Sequence, residues 1–274
     1  MTTIAETVPT KAEPSVDPIP RGYRTITPYV VAQDGAALID FAKQVFGAEE
    51  IFRAVGSAGG IHCEVRIGDS MVMMGGGRPG HEFRSQPAPA ALHVFVDNTD
   101  AVYQRALGAG AESLQAPVDR EFGERVAAVR DPFGNLWYIA TWLEKRFMRE
   151  GLRNVNAFLH PLRAPQVIDF LSKGLGGKEL FRSQGPEGAV HHAEVRIGNS
   201  VIEISEARAA YQPLASMFYL YVPDVDAVYR HALAAGASSI SEPADQPYGD
   251  RSAGVRDPFG HQWYIATHIK DVTP

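Results

Sequence analysis

The chain has 274 residues, of which 45% are hydrophobic and 21% are charged, and its formal net charge is -6 at pH 7. This composition is typical of a globular protein, and the length predicts about two domains of ordinary size. The acidic balance argues against a nucleic-acid surface, which needs clustered Lys and Arg. The single cysteine, Cys63, excludes an intrachain disulfide, and no apolar run approaches the roughly 20 residues that span a bilayer.

The first 22 residues predict a disordered tail. They are rich in Thr, Pro and Ala and lack the basic and apolar segments of a secretory signal peptide. We therefore expect a cytoplasmic protein without a membrane partner, whose folded part begins at about Tyr23.

The elements that follow repeat one order. A β-branched run at Ile26–Val31 predicts a strand, and the next segment predicts a helix that Gly47 ends. Three short strands follow, and the order then starts again with a strand at Leu92–Val96 and a helix that ends at Gly110. The helical faces are recognised from apolar residues spaced by three and four, which are Leu38, Phe41, Ala42, Val45 and Phe46 in the first helix and Val102, Tyr103, Ala106 and Leu107 in the second.

The same pattern recurs in the second half of the chain. The segment Val129–Thr141 returns as Val255–Thr267 with only two letters changed. Three other pairs also match, namely Ile39–Arg53 with Ile168–Arg182, His62–Ser70 with His192–Ser200, and Asp100–Ser113 with Asp226–Ser239. The sequence thus predicts two homologous domains, 23–142 and 153–269, joined by a linker at 143–152. Each domain holds two βαβββ modules, so the chain holds four.

This order, with "LHVFVDNTDAVYQRALGAGA" and "VRDPFGNLWYIAT", resembles the vicinal oxygen chelate superfamily of glyoxalase I, bleomycin-resistance proteins and extradiol dioxygenases. The phrases "HAEVRIGNSVIEIS" and "YGDRSAGVRDPFGHQW" are most similar to its PhnB-like branch. The resemblance covers both halves. It implies an α+β fold in which paired modules form a curved eight-stranded half-barrel, with helices outside and a concave cavity inside. It implies much less about activity, because one fold hosts many chemistries.

The repeated phrase itself favours a structural role. In "DPFG", Asp, Pro and Gly occupy the preferred positions of a type I turn. The strand after the turn alternates faces, and we expect Trp137 and Trp263 to lie in the core under the helices. Family metalloenzymes often carry a Glu ligand four residues after the turn glycine, and this chain carries Tyr138 and Tyr264 there.

The resemblance also implies where a metal site would lie, because the family draws one ligand from the first strand and one from the last strand of each module. These positions are Thr27, Met73, His93 and Tyr138 in the first half and Asn156, Glu203, Tyr219 and Tyr264 in the second. Only His93 and Glu203 are good ligands, so neither half completes a set. Whether sites form between the halves, bringing His93 and Glu203 together, stays open. We expect no cofactor, with a divalent metal at these two residues as the alternative.

A repeated His-x-Glu pattern supplies the acid/base candidates. Cys63 and its alternate neighbours form an apolar face, which leaves His62 and Glu64, and likewise His192 and Glu194, on the opposite face. Each pair is either a hydrogen-bonded acid/base pair or a charged rim in which the Glu pairs with the following Arg, and we favour the rim.

Several other charged residues are assigned structural or surface roles. Arg125 and Arg251 either hold an anionic ligand or brace a strand edge against Asp131 and Asp257, and we favour the brace. His231, His261 and His268 are expected at the surface.

The cavity faces suit a small organic ligand. The expected ligand-binding residues are Tyr29, His93, Phe95, Tyr138, Phe158, Glu203, Tyr219, Tyr221 and Tyr264. The sequence favours a protein that sequesters an aromatic or cationic compound, with Glu203 as charge partner. The alternative is a lyase, isomerase or dioxygenase that uses a divalent metal. A monomeric pseudo-dimer and a homodimer are both open.

Overall fold

The computed structural model describes residues 16–77, 85–143, 151–185 and 188–272. Most of the predicted tail and residues 144–150 of the predicted linker lie outside the described residues. The domain boundaries drawn from the repeat stay predictions.

Four βαβββ modules follow one another, as predicted. The first contains β1 (Ile26–Ala32), α1 (Gly35–Phe46), β2 (Glu49–Val55), β3 (Ile61–Ile67) and β4 (Ser70–Gly76). The second contains β5 (Ala91–Phe95), α2 (Thr99–Gly108), β6 (Glu112–Asp119), β7 (Glu124–Arg130) and β8 (Leu136–Trp142). The third contains β9 (Val155–Leu159), α3 (Ala164–Leu175), β10 (Lys178–Gln184), β11 (Val190–Ile197) and β12 (Ser200–Ile204). The fourth contains β13 (Met217–Tyr221), α4 (Val225–Ala234), β14 (Ser238–Asp245), β15 (Asp250–Arg256) and β16 (Gln262–His268).

Short polar side chains start three of the four helices. Asp34 accepts a hydrogen bond from the backbone N–H of Ala37, and Asn98 and Asp224 do the same for α2 and α4. Such caps satisfy amides that the first helical turn leaves without partners.

None of the helices in the described part of the chain is long and apolar enough to cross a membrane.

The modules pair across the two halves to form two open, eight-stranded sheets. Sheet A has the order β14-β15-β16-β13-β1-β4-β3-β2 and joins the first module to the fourth. Sheet B has the order β10-β11-β12-β9-β5-β8-β7-β6 and joins the second module to the third. The halves meet at two antiparallel pairs of central strands, β1 with β13 and β5 with β9. Each sheet, and therefore each concave face, takes its residues from both halves.

The two large hydrophobic cores, by contrast, form within each half, whereas three smaller clusters combine residues of both halves. One core packs α1 and α2 onto strands of the first two modules, and the other packs α3 and α4 onto strands of the last two. Only Val155 and Ile26 join the core of the opposite half. Trp137 and Trp263 are fully buried in these cores, which confirms their predicted place under the helices.

The repeated Asp-Pro-Phe-Gly phrase is a turn that also anchors the core tryptophan. The amide of Gly134 donates to the carbonyl of Asp131 across the turn, at 3.1 Å. The buried Asp131 carboxylate accepts hydrogen bonds from the amides of Phe133 and Asn135, from Nδ2 of Asn135, and from Nε1 of Trp137. Asp257 holds Trp263 in the same way, at 3.0 Å. The phrase is therefore a structural device used twice.

A second repeated turn, between the last two strands of the first and third modules, holds the halves together. Asp69 and Asn154 exchange hydrogen bonds between side-chain oxygen and amide, both at 3.0 Å. Asn199 and Thr25 form the equivalent pair at the other crossing. The turn glycine Gly198 adopts φ +55°, and a Cβ there would lie 2.1 Å from Oγ1 of Thr25. This position therefore needs glycine both for its backbone and for the close approach of the other half.

Candidate functional site

Successive residues of a strand point to opposite sides of its sheet, and this alternation identifies one concave face on each of the two sheets. Leu92 and Val94 of β5 point into the core under the helices, whereas His93 and Phe95 lie on the opposite side. Since neighbouring strands follow the same parity, each sheet presents one face away from its helices.

On sheet B, His93 is paired in register with Tyr138 of β8 and with Asn156 of β9, and Glu203 lies next to Phe158. We call this surface the acidic face. Its charged members are His93, Glu124, His192, Glu194 and Glu203.

The charged residues of the acidic face form one connected cluster. Nδ1 of His93 lies 2.9 Å from Oε1 of Glu203, and Nε2 lies 3.8 Å from Oε2 of Glu124. Nε2 of His192 lies 3.4 Å from Glu194 and 3.9 Å from Glu203. Each of the three glutamates is at most 4% exposed. Three buried carboxylates, the buried imidazole of His93 and the partly exposed imidazole of His192 thus share one patch, and the residues come from both halves.

Aromatic rings surround this cluster. The ring of Tyr138 lies 4.9 Å from that of Phe158 and 5.6 Å from that of Tyr211. Phe181, half-exposed on the edge strand β10, approaches His192 with ring centres 6.1 Å apart. The acidic face therefore combines buried carboxylates with rings that a planar ligand can stack against.

His160 adds a buried neutral imidazole to this surface. Its Nε2 lies 2.7 Å from the hydroxyl of Tyr138, and its Nδ1 lies 3.1 Å from the carbonyl of Ser205. Only one assignment satisfies both contacts, with Nδ1–H donating to the carbonyl and Nε2 accepting from the phenol. Burial lowers the pKa of His160 to about 4.

The segment 206–215 lies over the acidic face. Arg208 and Tyr211 exchange two backbone hydrogen bonds, and Ala209 between them adopts φ +46°. Arg130 holds this turn by donating to the carbonyl of Ala210 at 2.8 Å. Tyr211 and Leu214 pack on Tyr138 and Phe158, so this segment covers the aromatic part of the face.

On sheet A, the equivalent surface carries tyrosines in place of most charges. We call it the tyrosine face, and its members include Tyr23, Tyr29, His62, Glu64, Met73, Tyr219, Tyr221, Asp250 and Tyr264. The hydroxyl of Tyr29 lies 2.8 Å from Nδ1 of His62, whose Nε2 lies 3.6 Å from Glu64. The buried Asp250 accepts from the hydroxyls of Tyr219 and Tyr221 at 3.1 and 3.2 Å.

Burial governs the titration of this surface. Desolvation raises the pKa of Tyr29, Tyr219 and Tyr221 well above the usual range of a phenol, so all three stay neutral. The neighbouring Cys63 points into the core, and burial raises its pKa to about 11. A thiol in this state is a poor nucleophile.

The residues at the family metal positions do not fit a metal ion in either face. Both amide atoms of Asn156 are used by the backbone of Arg153, at 2.8 and 2.7 Å. The phenol of Tyr138 is bonded to His160, and burial raises its pKa. On the tyrosine face the corresponding residues are Thr27, Met73, Tyr219 and Tyr264, which are weak or soft donors. Among the described residues, no group of three or more His, Cys, Asp or Glu side chains is arranged to hold a metal.

The structure contradicts the ion-pair partners predicted for three arginines, Arg66, Arg125 and Arg251. Arg66 binds Glu49 on the neighbouring strand, because these two residues face each other across β2 and β3. Arg125 forms ion pairs with Asp100 and Asp119. It does not pair with Asp131, because the carboxylate of Asp131 already accepts hydrogen bonds within its own turn. Arg251 makes the equivalent contacts with Asp226 and Asp245.

The predicted surface position of His261 is also wrong. It is 4% exposed, because it follows the anchored turn at Asp257 and its Nδ1 lies 3.3 Å from the amide of Ser216. Burial lowers its pKa.

The structure therefore brings His93, Tyr138, Phe158 and Glu203 together on one face and Tyr29, Tyr219, Tyr221 and Tyr264 on the other. His192 and Glu194 join the acidic face, and His62 and Glu64 join the tyrosine face. Their roles in binding or catalysis stay predictions.

Sequence reasoning missed several residues of these surfaces, among them Glu124, Asp250, His160 and Tyr211. For the two acids a signal exists, since an acidic residue precedes the arginine in both "GERV" and "GDRS". His160 and Tyr211 lie outside the strands and carry no such signal.

Comparison of the chain with known protein families agrees with this architecture. The family model of the Glyoxalase/Bleomycin resistance protein/Dioxygenase superfamily matches residues 25–139 and 163–265. The chain belongs to this superfamily.

Several known proteins are similar to this chain. The chain is 36% identical over 120 residues to the uncharacterized protein Rv0887c of Mycobacterium tuberculosis, covering 41% of this chain and 71% of that protein. It is 26% identical over 198 residues to the anthracycline biosynthesis protein DnrV of Streptomyces peucetius, covering 66% of each. Its fold is similar to that of glyoxalase I from Zea mays, with a TM-score of 0.65, 14% identity, and coverage of 88% of this chain and 92% of that one.

Proposed function

We propose that the protein binds a small, planar, cationic organic compound at the acidic face and sequesters it without chemical conversion. The observation that carries this proposal is the buried carboxylate of Glu203, 3% exposed and in contact with His93, within a ring of aromatic side chains. A positively charged ligand gains from both groups, since carboxylates attract the charge and aromatic faces attract cations.

The aromatic side chains set the shape of this ligand. The ring of Tyr138 lies within 6 Å of the rings of both Phe158 and Tyr211, which suits stacking on a flat molecule. The likeness to an anthracycline biosynthesis protein supports a polycyclic aromatic ligand.

The covering segment 206–215 must move for a ligand to reach the rings. Its turn holds a non-glycine residue at positive φ, which stores strain, and it packs through few side chains. We therefore propose that Tyr211 swings off Tyr138 and stacks on the bound molecule.

The test uses proflavine, a planar aromatic monocation, as probe and the neutral acridone as its comparison. Isothermal titration with Glu203→Gln should show proflavine affinity at least tenfold lower than with the wild type, because the amide keeps the volume but loses the charge. A tenfold loss corresponds to about 1.4 kcal/mol, within the range for a buried charge.

Glu179→Gln is the matched control, since Glu179 is half-exposed on β10 and bonded to Arg182. This variant should bind proflavine within about twofold of the wild type. Equal affinity of the wild type and Glu203→Gln, or acridone binding as tightly as proflavine, would contradict the proposal.

Elemental analysis separates this function from the metal-dependent lyase, isomerase or dioxygenase that the superfamily also contains. Untagged protein should hold well below one divalent metal per chain, because the residues at the family positions are occupied or weak donors. Proflavine binding should be unchanged by dialysis against chelator. A stoichiometric metal, removed by chelator together with a measurable turnover, would favour the enzyme.

Three further assignments belong to this proposal and stay predictions. They are membership of the PhnB-like branch, a cytoplasmic location, and a monomeric pseudo-dimer in which the second half takes the place of a partner subunit. A homodimer of the whole chain is the alternative.

A further inference from the structure

A small cavity lies where the two halves cross. It has a volume of about 20 Å³, and equivalent residues of the two halves line it. These pairs are Arg24 with Arg153, Thr27 with Asn156, and Ser70 with Ser200. We call it the junction cavity.

Two arginines, one from each half, line this one small space. Oδ2 of Asp69 lies 3.8 Å from Nε of Arg153 and partly balances it. Asn199 occupies the position in the second half that corresponds to Asp69, so Arg24 lacks the carboxylate that Arg153 has. Among the residues that the structure describes, none forms an ion pair with Arg24. Counted over the described residues, two guanidinium groups and one carboxylate leave a formal charge of one positive unit at the junction cavity.

Two buried polar groups on residues that line the junction cavity also find no hydrogen-bond partner among the described residues. They are Oγ1 of Thr27 and Nε of Arg153, and both atoms are buried. Thr27 as a whole is 1% exposed. Leaving buried polar atoms without hydrogen-bond partners costs free energy, so such atoms mark the place of a bound water or ion.

The remaining polar side chains of the junction cavity are already engaged. Ser70 accepts from the amide of Val155 and Ser200 from that of Ile26, while Asn156 is held by Arg153. Among the described residues, the groups left over are the Nε–H of Arg153, the hydroxyl of Thr27 and the guanidinium of Arg24, and all of them can donate. Free donors combined with an excess positive charge select an anion over a water molecule.

We propose that the junction cavity binds one monovalent anion of halide size, chloride under ordinary conditions, and that this ion ties the two halves together. A volume of about 20 Å³ accommodates one water-sized species. Sulfate, phosphate and organic anions are larger than this space, which favours a halide.

Bromide provides a direct test, because it replaces chloride and scatters anomalously. Crystals of the full chain soaked in sodium bromide should show one anomalous peak per chain within hydrogen-bonding distance of Oγ1 of Thr27 and Nε of Arg153. The absence of a peak there would overturn the proposal.

Thermal unfolding tests the same site in solution. The wild type should melt about 3 °C or more higher in sodium chloride than in sodium gluconate of equal ionic strength, once chloride is about tenfold above its Kd. Gluconate matches the ionic strength but is too large for the cavity. Equal melting in the two salts would overturn the proposal.

Matched variants assign the effect to the junction cavity. Arg24→Gln and Thr27→Val should each abolish the difference between the two salts, even if they also change the melting temperature itself. Arg21→Gln removes the same charge from an exposed position three residues away and should keep the full difference. Loss of the difference in Arg21→Gln, or its retention in both cavity variants, would contradict the assignment.

Discussion

Replacing Asp131 with alanine is expected to lower the free energy of unfolding by about 3 to 5 kcal/mol. The carboxylate is 3% exposed and accepts four hydrogen bonds, which come from Phe133, Asn135 and Trp137. Alanine leaves four donors without an acceptor, two of them on side chains that are themselves fully buried. Each buried donor left unpaired costs about 1 to 3 kcal/mol, and partial relaxation of the turn keeps the total below the sum.

Urea denaturation followed by tryptophan fluorescence measures this loss. Asp257→Ala removes the equivalent anchor of Trp263 and should be similarly damaging. Asp40→Ala, at an exposed position on α1, should change stability by less than about 0.5 kcal/mol. A loss below about 1 kcal/mol for Asp131→Ala would show that the turn holds without its carboxylate.

A second large effect is expected from pH. Because burial holds the pKa of His160 at about 4, against 6.5 for an ordinary histidine, this side chain stays neutral in the folded protein where the unfolded chain is already protonated. Between these two values the unfolded state binds more protons, so stability falls as the pH falls. On lowering the pH from 7 to 4.5, His160 alone should remove about 2 to 3 kcal/mol of stability.

The contribution is measured as a difference between variants, because His261 is also buried with a lowered pKa and acts in the same direction. Unfolding free energies of His160→Gln should depend less steeply on pH than those of the wild type between pH 7 and 4.5. Glutamine can still accept from the hydroxyl of Tyr138, so the packing around it is retained. His191→Gln, at an exposed position, should keep the wild-type slope. Parallel curves for the wild type and His160→Gln would contradict the assigned protonation state.

The local features of the fold could be predicted because they depend on short-range patterns. The spacing of Leu38, Phe41 and Val45 defines a helix face without reference to any other element, and the alternation around Trp137 defines which side of β8 is buried. The module order and the eight-stranded sheets follow from these patterns together with the family resemblance.

The pairing of modules could not be predicted from the same patterns. His93 satisfies the alternation of β5 equally well whether β5 pairs with a strand of its own half or with β9. The contact between His93 and Glu203 was therefore left open, although both residues were nominated. The prediction of ion-pair partners failed for a related reason. Arg66 contacts Glu49 because the register of β2 and β3 places these residues opposite each other, and the spacing of residues within one strand does not determine that register.

Pairing the modules across the halves has a consequence for how the two concave faces can differ. If one half existed alone and paired with a second copy of itself, every substitution would appear in both faces at once. Covalent fusion removes this constraint, because each face now draws on its own two modules. Met73 can occupy the tyrosine face while Glu203 keeps its carboxylate on the acidic face, and each surface is free to acquire its own ligand without altering the other.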